Sequence, residues 1–162
     1  MTIVPAGQEI GISFTLNGEA MTVSAPAEPV MAELLRNRLG LTGLNISCAS
    51  GVCGSCTVLV DGEPVSACSQ FAYRLDGKEV VTIEGLSRSG NLSKVQQTFM
   101  SHSAFQCGYC TPGMILLATA LLDHNPTPTR PQIQSWMSAN ICRCTGYQMI
   151  IEAVEQASGD DR

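Results

Sequence analysis

Eight cysteines in a chain of 162 residues are the side chains most able to do chemistry, and they fall into two sets. Cys48, Cys53, Cys56 and Cys68 lie within "CASGVCGSCTVLVDGEPVSAC", with four, two and eleven residues between them. Cys-x4-Cys-x2-Cys followed by a distant fourth cysteine is the spacing that holds a plant-type [2Fe–2S] cluster. Such a cluster with its four thiolates is anionic, so a loop that turns several backbone N–H groups inward would stabilise it. Gly51 and Gly54 suit that loop, because glycine lets the backbone come close and take positive φ. The alternative is structural zinc, whose ligands usually come as two short knuckles; here three thiols come from one loop.

The second set is Cys107 and Cys110 in "QCGYC" with Cys142 and Cys144 in "ICRC", the pairs separated by 31 residues. Spacing alone leaves zinc open beside a second iron–sulfur centre. Each pair precedes an expected helix, "TPGMILL" or "TGYQMII", and helix N-termini favour thiolates and anionic clusters. Two helices could thus present four thiols at one end of a bundle. Beside a first redox centre a second would form a relay, to which zinc would add nothing.

Other reactive residues are few. His102 and His124 read as exposed or helix-end residues, since cysteines already fill all eight ligand places. Trp136 and the seven methionines, Met114 and Met149 among them, read as packing. Asp61, Glu33, Glu63 and Glu79 read as turn or solvated carboxylates. There is no G-x-G-x-x-G, no P-loop and no nucleophile–base pattern. Two one-electron centres without a substrate site make an electron conduit, whose donor and acceptor must lie on other chains.

The elements that must position these thiols change character midway. Ile12, Phe14 and Leu16 alternate with polar residues, and Asn17-Gly18 predicts a tight hairpin. Val30, Leu34, Leu35 and Leu39 stand at helical spacing, with Gly40 to end the helix. "CTVLVDGEPVSAC" predicts a second hairpin turned at Asp61-Gly62, with Cys68 on its far strand, and "GKEVVTIEGL" a further strand. After "GLSRSGN" the pattern is helical: "LSKVQQTFMSHSAFQ", "TPGMILLATALLDHN" with Thr111 as cap and Pro112 in the first turn, "RPQIQSWMSAN" and "TGYQMIIEAVEQAS". "SGDDR" reads as a frayed tail. The chain is therefore α+β, with residues 9–86 as a ferredoxin-like domain and 91–158 as a helical domain.

Composition narrows the partners. Hydrophobic residues make up 44% and charged ones 14%, and mean hydropathy is +0.14, so part of the surface is expected to be covered by other chains. A net charge of −5 without a basic run excludes a phosphate-tracking nucleic-acid binder. "MTIVPAGQEIGISFTLNGEA" lacks the form of a secretory signal, and the longest apolar stretch, "MILLATALL", is too short to span a membrane. A cytoplasmic protein is expected, where thiols are left for metal rather than disulfides.

Together "CASGVCGSCTVLVDGEPVSAC", "QCGYCTPGM" and "NICRCTGYQ" resemble the small iron–sulfur subunit of the molybdenum hydroxylases, the xanthine oxidase family, over about Ile10 to Ala157. The resemblance implies a β-grasp ferredoxin domain followed by a four-helix bundle carrying a second [2Fe–2S] cluster. It implies a large subunit binding molybdopterin cytosine dinucleotide and a medium subunit binding FAD, in a hetero-oligomer such as a dimer of heterotrimers. The reaction class it implies is hydroxylation of carbon by water. The family's substrates include purines, other N-heteroaromatics, aldehydes and carbon monoxide, and one branch reduces an aromatic thioester. That choice lies in the large subunit, and an N-heteroaromatic is expected here. By the same resemblance the Cys107, Cys110, Cys142 and Cys144 cluster lies nearest the pterin, which Gln106 hydrogen-bonds and the Cys144 end faces. The Cys48, Cys53, Cys56 and Cys68 cluster lies on the flavin side. Ala49-Ser50 and Ser55 depart from the common pattern, Ser55 standing where alanine is common, and "GYQMI" is closer to the separate-subunit bacterial enzymes. A free two-cluster ferredoxin and a zinc-stabilised interaction module are the competing readings.

Overall fold

The computed structural model describes residues 5, 7–87 and 90–159. Arg88 and Ser89, within the expected boundary, and the last three residues of the expected tail lie outside them, as do residues 1–4 and 6 of the segment read for a signal.

The first half forms a five-stranded mixed sheet in the spatial order Glu19–Pro26, Glu9–Leu16, Glu79–Val81, Thr57–Val60, Glu63–Ser66. Strands β1 (Glu9–Leu16) and β2 (Glu19–Pro26) are an antiparallel hairpin. Its turn uses Asn17 at φ 52° and Gly18 at φ 88°, the paired left-handed conformations that a two-residue hairpin loop requires. Strands β3 (Thr57–Val60) and β4 (Glu63–Ser66) form the second hairpin, turned by Asp61 at φ 51° and Gly62 at φ 84°. The short β5 (Glu79–Val81) runs between them, parallel to β1 and antiparallel to β3.

A helical segment over Glu33–Arg38 covers the sheet, burying Leu34 and Leu35 among Ile12, Phe14, Val58 and Val80. Its turns are wide: Leu39 N–H reaches back five residues to Leu34 O. Gly40 then leaves at φ 76°. Arg36 donates to Leu44 O at 2.8 Å and to Thr42 O, which fixes the loop that leads to Cys48.

The second half is four helices: α1 (Lys94–Ser101), α2 (Thr111–His124), α3 (Arg130–Met137) and α4 (Gln148–Ser158). Helix α2 is apolar on nearly every side, and its Met114, Leu117, Ala118 and Leu121 are buried with Phe99, Ile133, Met137, Ile150 and Val154 from the other three helices. Helix α1 ends at Ser101, sooner than its apolar pattern suggests, because the chain turns at Ser103 with φ 49°. Both α1 and α3 begin with reciprocal capping boxes, Ser93 with Gln96 and Thr129 with Gln132. The eight-residue α1 is too short to hold itself together in water, so Ser93→Ala should cost about 1 kcal/mol. A lower urea midpoint at unchanged m would register that loss.

Thr111 does not cap α2 as expected. Cys110 stands at the N-cap and Thr111 is already in the first turn, its hydroxyl buried without a partner. Among the described residues, no helix is long and apolar enough to cross a membrane.

The two halves join along a seam. Leu59 of β3 packs against Leu116 and Ala120 of α2, flanked by Val81, Ile83, Leu86 and Trp136. Trp136 is a packing residue as expected, with its indole N–H donating to Leu117 O at 2.9 Å. His102 and His124 stand at the ends of α1 and α2, and His124 reaches across the seam to Glu63 at 3.2 Å.

Candidate functional site

The loop before β3 gathers the first four thiols. Ala49 at φ 51°, Gly51 at φ 78° and Gly54 at φ 69° curl it so that backbone N–H groups turn inward. Ser50 N–H and Cys53 N–H both donate to Cys48 Sγ at 3.4 Å, and Gly51 N–H donates to Cys68 Sγ at 3.3 Å. Cys68 sits in a short turn over Ala67–Ser69, just beyond β4 rather than on the strand itself. Cys48 is exposed, whereas Cys53, Cys56 and Cys68 are buried.

The second four thiols come from the entry to α2 and the segment before α4. Cys107 and Cys144 are exposed and their sulfurs lie 3.6 Å apart. Cys110 and Cys142 are more deeply set and pair with each other. Helix α4 begins only at Gln148, so its N-terminus is not what meets Cys144. A turn of side chains does that work: Thr145 Oγ1 donates to Cys142 Sγ at 3.1 Å. Tyr147, held at φ 67°, accepts from Cys142 N–H and donates to Asn140 O, each at 2.9 Å.

The two sets are bolted together. Ile141 N–H donates to Cys53 O at 2.9 Å, joining the residue before Cys142 to a cysteine of the first set. Asn45 Nδ2 donates to Tyr109 O at 2.9 Å, and Tyr109 O–H donates to Ile46 O at 2.7 Å. Asn140 is buried at 3% exposure with its amide against Gly54. The Thr57 hydroxyl donates to Gly54 O at 2.7 Å and lies 3.3 Å from Asn140 Oδ1, while Asn140 Nδ2 has no partner. Thr57 has one hydroxyl hydrogen and directs it at Gly54. The Asn140 amide turned end for end would therefore give its NH2 a lone pair on Thr57 to donate to. Cys53 and Ser55 line a cavity of about 410 Å3 together with Cys107, Cys110, Cys142 and Cys144.

Thiol chemistry tests what these sets would hold. The Ser50 side chain, with the N–H groups of Ser50 and Cys53, lowers the Cys48 thiol to about 5. Burial pushes Cys56 up to about 12, with Cys68 and Cys53 as neighbouring thiols. Burial likewise pushes Cys110 up to about 12, with Cys142 beside it. At Cys142 burial opposes ionisation, but the Thr145 hydroxyl and the N–H groups of Thr145 and Cys144 outweigh it and lower the thiol. Four thiolates would not coexist in either set without positive charge, which bound iron supplies. The thiols are also grouped in pairs, Cys56 with Cys68, Cys110 with Cys142 and Cys107 with Cys144. Pairs suit a binuclear cluster, in which each iron takes two thiolates.

Gln106 is exposed beside Cys107. The sequence had no signal for Asn140, Tyr109, Thr145 and Tyr147 as site-builders beyond their nearness to cysteines, because Asn140 and Tyr109 act on a distant segment and the Thr145 and Tyr147 hydroxyls act within an irregular turn that follows no period.

Comparison with known proteins shows the family. A family described as 2Fe-2S iron-sulfur cluster binding domain matches residues 32–99, and one described as [2Fe-2S] binding domain matches residues 82–155. The chain is 44% identical to the nicotine 6-hydroxylase small subunit of Paenarthrobacter nicotinovorans, covering 98% of this chain and 96% of that one. It is 46% identical to the nicotinate dehydrogenase small FeS subunit of Eubacterium barkeri, covering 92% and 95% respectively. A chain in the crystal structure of quinoline 2-oxidoreductase from Pseudomonas putida 86 superposes with a TM-score of 0.91 at 42% identity, over 94% of this chain and 95% of that one. With two 2Fe–2S-binding domains in one chain and near full-length likeness to such subunits, the protein belongs to the small [2Fe–2S] iron–sulfur subunits of the molybdenum hydroxylase family of oxidoreductases.

Proposed function

We propose that this chain relays electrons from a molybdopterin site on a large partner subunit, through two [2Fe–2S] centres, towards FAD on a medium subunit. When bound, each centre would accept and pass on one electron. One observation carries the reading: the two thiol sets meet at the seam, where Cys53 and Cys142 are buried, yet each keeps an exposed edge. Cys53 and Cys142 face inward, while Cys107 with Cys144 and, in the other set, Cys48 reach the surface. That is the layout of a conduit with an entrance, a covered middle and an exit.

The metal ligands in this reading are Cys48, Cys53, Cys56 and Cys68 for one centre and Cys107, Cys110, Cys142 and Cys144 for the other. The exposed Gln106 amide and the Cys144 edge would meet the pterin cytosine dinucleotide of the large subunit. Cys48 would face the flavin side. The substrate class is N-heteroaromatic, supported by relatives named for nicotine, nicotinate and quinoline. The working assembly is a dimer of heterotrimers in the cytoplasm, whose reducing conditions suit eight free thiols.

Metal and sulfide analysis of the purified complex should return four iron and four sulfide per chain and no zinc. The reduced protein should give two separable rhombic EPR signals, because one site is a tight N–H-lined loop and the other a helix-entry site. Two iron with one zinc per chain would overturn the second centre. Elution of the native protein near 17 kDa, without a large partner, would make it a free carrier instead.

A further inference from the structure

Ser55 is buried at 5% exposure in the wall between the two thiol sets. Its hydroxyl lies 3.6 Å from Cys53 Sγ and has no other hydrogen-bond partner among the described residues. As a free thiol, Cys53 is the donor in that contact. A thiolate bound to iron has no hydrogen to give, so it can only accept. A buried hydroxyl left without a partner is costly. Both facts push the same way: once Cys53 is a ligand, Ser55 turns its O–H towards the sulfur.

We propose that Ser55 is a positioning residue that sets the potential of the N-terminal centre, by donating a hydrogen bond from its hydroxyl to the Cys53 thiolate. The proposal rests on the reading of Cys53 as an iron ligand. The physical reason lies in charge. One-electron reduction adds a negative charge to the centre, and part of it falls on the ligand sulfurs. A donor aimed at one of those sulfurs stabilises the reduced state more than the oxidised one, and so raises the potential. The neighbouring set has its own donor in Thr145, whose hydroxyl lies 3.1 Å from Cys142 Sγ. Without Ser55 that hydroxyl bond at Cys142 would be unmatched, and an electron shared between the centres would shift towards the C-terminal one. Cys53 is also the cysteine of its set that lines the shared cavity, so the bond acts on the inward edge where the electron would arrive.

The test is Ser55→Ala in the assembled complex, which removes one oxygen and demands no repacking. Redox titration would follow each EPR signal separately, with Cys53→Ser used to identify the N-terminal signal. Ser55→Ala should keep four iron per chain and lower the N-terminal midpoint alone. The expected change is about tenfold in the partition of one electron between the centres, which corresponds to about 59 mV. Proton hyperfine spectra of the unaltered N-terminal signal should show a coupling that vanishes on exchange into heavy water, and Ser55→Ala should lack that coupling in ordinary water. Unmoved midpoints with that coupling retained, or equal falls at both centres, would overturn the proposal while leaving the iron ligands standing. Absence of iron from the unaltered chain would overturn the ligand reading, and this proposal with it.

Discussion

Gly54→Ala is expected to stop the chain from accumulating as an iron-loaded protein. Gly54 sits at φ +69°, and a Cβ built there would lie 1.6 Å from Asn140 Oδ1, 2.2 Å from Cγ and 2.9 Å from Cβ. Asn140 cannot swing clear, because it is 3% exposed and the next residue bonds to Cys53 O. Left-handed backbone costs roughly 1–2 kcal/mol in a residue with a Cβ, and overpacking costs about 1–3 kcal/mol or more. Their sum is a large share of the roughly 5–15 kcal/mol that holds a domain folded. Adding Asn140→Gly should recover part of the yield, since it removes the clash and leaves only the backbone strain. Soluble yield and iron content of the single and double variants would decide the matter. A single Gly54→Ala variant with four iron and normal thermal stability would mean that the amide and the loop are not locked together.

The second large effect concerns Cys144. In the assembled complex Cys144→Ala should halt substrate-driven reduction of the flavin and of the N-terminal centre together, because it removes the outward edge at which electrons would enter. Cys53→Ser should act differently. Ile141 bonds to the backbone carbonyl of Cys53, not to its sulfur, so the seam survives the change. The C-terminal centre should remain and should still be reduced by substrate, while the flavin stays oxidised. Stopped-flow absorbance of the flavin with rapid-freeze EPR of the surviving centre separates the two cases. Flavin reduction at the normal rate in Cys53→Ser, with the C-terminal centre still oxidised, would reverse the order or make the paths parallel.

What the sequence disclosed was what it encodes over short range. Asn17-Gly18 and Asp61-Gly62 must turn as they do because left-handed backbone falls to such residues, and the first set's Cys-x4-Cys-x2-Cys spacing points to iron–sulfur chemistry, whereas the second set's spacing alone left zinc open. Expectations failed where tertiary structure overrode local pattern. Thr111 looked like a cap, but the chain uses Cys110 there and buries the threonine in the first turn. Cys68 lies past its strand in a separate turn. The supposed helix end near Cys144 is a Thr145–Tyr147 turn built on one phenol. Least legible was the seam. Gly54 and Asn140, or Asn45 and Tyr109, are far apart in the chain and follow no period, so no hydrophobic pattern announces their contact.

The close fit of Gly54, Gly113 and Asn140 also bears on inheritance. A Cβ on Gly113 would meet Gly54 O at 2.5 Å, so three positions from three segments tolerate one another only in combination. The halves are contiguous in the gene and look exchangeable, yet a crossover between them would part lock from key. Hybrid chains assembled from two relatives should work when both donors carry compatible residues at all three places, and should fail when one side arrives alone.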